Sequence, residues 1–398
     1  MSPAGPRSGP RSHRTYNLDR VIAAVRAHGA VTRADLERTT ELSRATVAAL
    51  VARLIDDGTL RELPAAGETR PGAGPGRPPA RLVLTESAGL VAGIAFSHGD
   101  LRVAAATLSG DVIAERHVHL VVDNSVAAAL DSAADNFRAV LDESGHTEED
   151  VSCVVVGLPA PLDRRTGRVM VNNVLPGWVD LDPTGGLEGR VHRPVFLENA
   201  VNLGVLGEMT YGAGAGLRDL VFVKVSTGVG AGLIFDGRLY RGTTGYAGEL
   251  GHVQIEANGR VCRCGSRGCL ETLVSTPHII AALQPMHADP LTPADVVRLL
   301  EAGDSGAVRV VGDVGRTIGR SLADMCNVLN PEVVIVGGEL SLPGGALTDG
   351  ISEAITRYAQ PGVAQALTVT TAALGSRAEL LGAIALAVQR TGAPAPPT

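Results

Sequence analysis

Four potential metal ligands crowd one short stretch of this 398-residue chain. It reads Glu249-Leu-Gly-His252, then Cys262-Arg-Cys264-Gly-Ser-Arg-Gly-Cys269-Leu-Glu271. One imidazole and three thiols match the number and kind of donors in a closed tetrahedral structural zinc site. His252, Cys262, Cys264 and Cys269 are therefore expected to hold a structural Zn2+. The alternative, that the cysteines are small core residues, sits poorly with Arg263, Gly265, Ser266, Arg267 and Gly268, which are too polar and flexible for a core.

Composition favours a metal over disulfides. The chain has five cysteines, an odd number, and starts with a Pro/Gly/Ser/Arg-rich stretch rather than an apolar signal segment. No apolar run reaches the length of a membrane span. A cytoplasmic protein with reduced thiols and no membrane partner is expected, with Cys153 and Cys326 as core residues. An apolar fraction of 45% with 3% aromatic residues suits an α/β protein packed by Ala, Val and Leu.

These features need elements to position them, and charge divides the chain. Through residue 82 there are 13 Arg against 8 Asp/Glu, whereas the remainder carries 22 Lys/Arg against 34 Asp/Glu. A basic front on an acidic body points to a nucleic-acid-binding module joined to something else. In the front, Leu18, Val21, Ile22 and Val25 recur at helical spacing up to His28-Gly29. Thr32 reads as the cap of a short second helix and Ser43 as the cap of a third, whose apolar stripe is Val47, Leu50, Val51, Leu54 and Ile55. Strand-like Thr59–Leu63 and Arg81–Leu84 then flank an irregular stretch holding Gly76-Arg77-Pro78-Pro79. That is the plan of a winged helix-turn-helix over residues 15–85, with disordered tails at 1–14 and 391–398. Its candidate contacts to double-stranded DNA are Thr32, Ser43, Arg44, Thr46, Arg53 and Arg77. Arg77 suits either a narrow minor groove or a phosphate, and a small helical bundle for protein contacts is the other reading of the front.

In the body, residues 86–390, a small unit occurs twice. A strand through Phe96 turns at Ser97-His98-Gly99 and runs to a Ser109-Gly110-Asp111 hairpin. A strand through Val225 turns at Ser226-Thr227-Gly228 and runs to an Asp236-Gly237-Arg238 hairpin. Two related lobes facing a cleft are expected, with turns able to cradle phosphates through backbone N–H groups.

These residues resemble the ROK family (repressors, open reading frames and sugar kinases), in its repressor branch. The resemblance rests on the Glu249/His252/Cys262/Cys264/Cys269/Glu271 pattern and on Asn173-Val-Leu-Pro-Gly-Trp178, Glu198-Asn199, Ser226-Thr-Gly-Val-Gly-Ala-Gly232 and Asn330-Pro-Glu-Val-Val-Ile-Val-Gly-Gly338. It implies an α/β fold: an N-terminal winged helix-turn-helix plus an actin-like, ribonuclease-H-like, two-lobed sugar-kinase-like domain, assembled as a homodimer or homotetramer. It also implies that Asn199, Glu249, His252 and Glu271 bind sugar hydroxyls, with Gly157 and Asn173 lining the same pocket. His252 would serve metal and sugar together, one ring nitrogen for each; alternatively the zinc only staples the loop.

The resemblance has two gaps. Where the kinase branch has its catalytic Asp after Asn199, this chain has Ala200. Where the first phosphate turn has its Asp, this chain has Ala95. A missing general base alone costs roughly 10²–10⁴ in rate. The expected function is a sugar-responsive regulator of transcription, a repressor of carbohydrate or amino-sugar uptake and metabolism genes, released from a pseudo-palindromic operator by a sugar or sugar phosphate. An active hexose or amino-sugar kinase, a constitutive DNA-binding protein with a vestigial body and a sensor of another protein are the competing readings.

Overall fold

The computed structural model describes residues 13–28, 30–63, 80–85, 88–122, 125–169, 175, 177–179 and 181–392. Arg77, Asn173 and most of the two terminal stretches lie outside the described residues. Three helices come first: α1 (His13–His28), α2 (Arg33–Thr40) and α3 (Arg44–Asp56). The first starts inside the stretch expected to be a tail. Thr32 caps α2 through a capping box, its hydroxyl accepting from the Asp35 amide at 3.2 Å while the Asp35 carboxylate accepts from the Thr32 amide at 3.0 Å. Ser43 Oγ accepts from the Thr46 amide at 3.3 Å and so starts α3. Val47, Leu50, Val51 and Leu54 are buried, which leaves Arg44 and Arg53 exposed on the other side of α3. Strands β1 (Leu60–Leu63) and β2 (Arg81–Leu84) pair antiparallel as the wing, with Leu60 opposite Leu84.

The first lobe contains β3 (Leu90–Phe96), β4 (Asp100–Thr107), β5 (Val112–His119), β6 (Val151–Leu158) and β7 (Val195–Asn199). Helix α4 (Val126–Ser144) precedes β6, α5 (Pro183–Val191) precedes β7, and α6 (Ala200–Tyr211) follows it. The second lobe contains β8 (Leu220–Val225), β9 (Val229–Phe235), β10 (Arg238–Leu239), β11 (Val333–Gly337) and β12 (Thr368–Thr371). Between β10 and β11 lie α7 (Glu271–Val274), α8 (Thr276–Leu283), α9 (Pro293–Glu301) and α10 (Ser305–Leu329). Helices α11 (Ala346–Tyr358) and α12 (Pro361–Ala366) precede β12, and α13 (Ala378–Gly392) ends the described chain.

The strand orders are β5-β4-β3-β6-β7 and β10-β9-β8-β11-β12. In both sheets a three-strand antiparallel meander is extended on its first strand by two parallel strands. The repeat read from two turn motifs is thus a repeat of whole five-stranded sheets. Strands β7, β10 and β12 had no strand signal in the sequence, because each is a short edge strand with no alternating apolar run to announce it.

Apolar packing forms three layers. Helices α4 and α5 cover the outer face of the first sheet around Phe137 and Trp178, and α8 to α11 cover the outer face of the second. Between the two sheets lie α6 and α13, side by side, in a core that continues into the helix-turn-helix through Val21, Val25 and Leu84. The wing is also fastened to the β4–β5 hairpin, where Ser109 Oγ bonds the Leu84 amide at 3.1 Å and its carbonyl at 3.3 Å. No helix among the described residues is long and apolar enough to cross a membrane.

The α6–α13 contact has room for no side chain at two points. A Cβ at Gly382 would fall well inside contact with the Leu203 carbonyl, and one at Gly207 inside contact with the Ala378 carbonyl. Gly382→Ala is therefore expected to push the helices apart and destabilise the body by about 1–3 kcal/mol, the usual cost of overpacking. Thermal unfolding reads this directly; an unchanged midpoint would mean that the crossing has slack.

Candidate functional site

A cleft of about 790 Å³ separates the lobes. Its walls include Ala95 and Ser97 from the first lobe, Asn199 and Ala200 at the start of α6, the turn Ser226 to Gly228, and Glu249, His252, Arg263 and Glu271. Of the expected sugar ligands, Asn199, Glu249, His252 and Glu271 thus converge on one cavity. Gly157 does not line it. This residue is buried in β6 beside Glu198 of β7, and a Cβ there would lie 2.8 Å from Leu203 Cδ1. Its smallness serves the packing of α6, which corrects the expectation.

The metal-type donors come together as expected. His252, Cys262, Cys264 and Cys269 place one ligand atom each within 4.8 Å of all the others. Cys264 Sγ and Cys269 Sγ are 3.8 Å apart, and Cys262 Sγ is 3.6 Å from His252 Nδ1. Tetrahedral zinc with Zn–S near 2.3 Å and Zn–N near 2.05 Å would separate its donors by about 3.8 Å and about 3.6 Å. The donor set fits. Burial pushes the Cys262 thiol up to about 12 and raises Cys269 as well, so a bound cation is what would hold them as thiolates. Tight turns build this loop: Gly268 has φ +69°, and a Cβ on it would collide with the Glu256 carbonyl.

His252 faces two ways. Its Nδ1 points to the thiols, and its Nε2 lies 3.6 Å from Glu249 Oε2 on the cleft side. Burial, then the negative charge of Glu271, pushes the Glu249 carboxyl up to about 7. Glu271 is buried and accepts from the Val229 amide at 2.9 Å, which ties the metal loop to the glycine turn between β8 and β9. Arg263, set between two of the thiols, gives Glu271 a second partner at 3.0 Å from Nε to Oε1. Neither Arg263 nor this anchoring role was evident in the sequence, because the partner, Val229, is 42 residues away.

The two positions where carboxylates of the kinase branch are expected to be missing hold methyl groups. Ala95, next to last in β3, is paired with Gly157, and Ala200 opens α6; both line the cleft and are nearly buried. Glu198 offers no substitute. Its carboxylate is buried and bound by Arg241 Nε at 2.6 Å, Asn202 Nδ2 at 2.9 Å and the Asn199 amide at 3.0 Å. Asn199 is itself committed to the backbone: Oδ1 caps α6 through the Val201 amide at 2.8 Å, and Nδ2 donates to the Ala160 carbonyl at 3.1 Å.

Also lining the cleft, Lys224, the chain's only lysine, pairs with Glu379 in the first turn of α13. Burial opposes the ammonium charge, but Glu379, with Glu339 beyond it, more than offsets that and raises its pKa. In the front, Thr32 and Ser43 are caps, and Arg44 and Arg53 are solvent-exposed on α3. Ser43 Oγ and Thr46 Oγ1 lie 2.8 Å apart at its exposed start.

Comparison with known proteins follows this division. The ROK family pattern matches residues 91–390. A xylose repressor from Caldicellulosiruptor bescii is 25% identical over 381 residues, covering 92% of this chain and 94% of that protein. The crystal structure of a ROK family transcriptional regulator, described as a homolog of the Escherichia coli Mlc protein, superposes with TM-score 0.74 at 25% identity, over 95% of this chain and 96% of that one. A ROK family glucokinase from Streptomyces griseus, solved with glucose and AMPPNP, superposes with TM-score 0.65 at 28% identity, over 100% of its own length but 76% of this chain. The regulators match front and body; the kinase spans a length equal to the body alone.

Replacing one thiol tests the donor set. Cys264→Ser is expected to abolish stoichiometric metal, measured by elemental analysis of purified protein, while the helical signal of the front persists. Full retention of metal would remove Cys264 from the set.

Proposed function

The chain belongs to the ROK family, and from that premise we propose that it is a sugar-responsive DNA-binding regulator of transcription. It represses carbohydrate or amino-sugar uptake and metabolism genes and leaves its operator when a sugar or sugar phosphate fills the cleft. One observation carries the reading: a helix-turn-helix with an exposed recognition-helix face shares its core with a sugar-kinase-like cleft that has Ala95 and Ala200 in place of carboxylates. The protein is a binder on a kinase scaffold and not an enzyme, since positioning without a base or a metal-facing carboxylate leaves phosphoryl transfer negligible.

Glu249, His252 and Glu271 would read sugar hydroxyls, with Asn199 contributing what its cap leaves over. The Cys/His donors would hold structural zinc, which braces the loop and fixes the tautomer and aim of the His252 ring. With Nδ1 directed to the thiols, Nε2 is the nitrogen left for the cleft.

Occupancy has a physical route to DNA. Both central helices begin in the cleft, α6 at Asn199 and Ala200 and α13 near Glu379. Helix α13 also packs against α1 of the front. A ligand that shifts Lys224 or the start of α6 moves a helix pair against which the helix-turn-helix is packed. A homodimer or homotetramer would present two α3 helices to a pseudo-palindromic operator, and the misalignment need be worth only about 1–3 kcal/mol, or 5- to 150-fold in affinity.

Operator titration against a panel of monosaccharides and their phosphates is the deciding experiment. At least one is expected to weaken DNA binding within that range; indifference to all of them would favour a constitutive binder. A coupled ADP-release assay with the same panel is expected to stay at background, and turnover would restore the kinase reading. Arg44→Ala is expected to weaken operator binding and, for a phosphate contact, to lower the salt dependence by about one unit across all sequences. An unchanged affinity would remove Arg44 from the interface.

A further inference from the structure

The Cys/His loop has a counterpart across the cleft. Among the described residues, Asp100, His117 and His119 form another close group of metal-type donors. Strand geometry assembles it. His117 and His119 stand two apart on β5 and share a face, and Asp100 on β4 is the direct cross-strand partner of His119. His117 Nε2 lies 2.8 Å and His119 Nδ1 2.7 Å from the same oxygen, Asp100 Oδ1. The two rings meet edge to face, with centroids 5.2 Å apart.

Two imidazole nitrogens converging on one carboxylate oxygen approximate the spacing of ligands around a single ion. Bonds of about 2.1 Å at right angles put neighbouring donors roughly 3.0 Å apart, so small ring rotations would admit a cation. The nearby guanidinium of Arg102 has partners of its own. It is engaged by Glu115, at 3.5 Å and shared with Arg377 at 2.6 Å, and it donates to Ser376 Oγ at 3.1 Å. All three donors line the cleft, and none takes part in the sugar-reading or thiol groups.

We propose that Asp100, His117 and His119 form a second metal site at the rim of the cleft, for a borderline divalent transition ion such as Zn2+, Ni2+ or Co2+. Neutral imidazole with one carboxylate selects these ions over Mg2+ or Ca2+, which need more oxygen donors. Three protein ligands leave coordination positions for water or for an oxygen of whatever fills the cleft. The site depends on neither the identity of the effector nor DNA binding.

The test uses untagged full-length protein. After loading with one equivalent of zinc, it is titrated with Ni2+ by calorimetry and equilibrium dialysis. Wild type is expected to take up one further equivalent. His117→Ala and His119→Ala should each weaken that step by more than the 10- to 100-fold typical of losing a supporting outer-shell partner. Because both side chains are partly or largely exposed, these variants should fold, and Cys264→Ser should retain the Ni2+ step. Uptake of no second equivalent by the wild type, or an undiminished second step in both histidine variants, would overturn the proposal.

Discussion

The closeness of α6 and α13 is the constraint on which the molecule turns. Gly207 and Gly382 let the two backbones meet, and each helix begins in the cleft and runs inward between the sheets. The first follows the last strand of its own lobe but packs on β8 and β9; the second follows the other lobe's last strand but packs on β3 and β6. Each lobe therefore contributes a helix to the other's sheet. A change at the cleft end of either helix cannot remain within one lobe, and α13 extends the same contact to α1.

The metal loop has a parallel role on the cleft wall. Glu271 joins three things that sequence separates: the thiol-rich loop through Arg263, the glycine turn through the Val229 amide, and the wall of the cavity. The turn that cradles phosphates in a working kinase is thereby secured from behind. Its glycines have a structural reason to persist without nucleotide chemistry: a Cβ at Gly228 would meet both Arg263 and Glu271.

Several side chains with functional types turn out to be structural. Glu198 stood two residues from the missing carboxylate, yet its oxygens are taken by Arg241, Asn202 and a backbone amide. Gly157 makes room for Leu203. Burial costs a polar group so much that a neighbour is found for it, and the neighbour is often distant in sequence. His117 and His119 gave no signal because their partner, too, lies on another strand. A His-x-His pair on a strand means little until the facing strand supplies Asp100.

By itself the sequence determined what depends on short range. Cap residues placed α2 and α3, the apolar stripe oriented α3, the spacing of one His and three Cys set the metal loop, and two Gly/Asp hairpins betrayed the repeat. It also determined the absence of carboxylates at positions 95 and 200, since no fold can restore a missing functional group. Tertiary structure alone decided the pairings that span tens or hundreds of residues: Lys224 with Glu379, Glu198 with Arg241, Glu271 with Val229, and α13 with both α6 and α1. Such contacts obey no periodicity along the chain. They follow from how two sheets and the helices between them exclude water, and that is settled only when the whole chain packs.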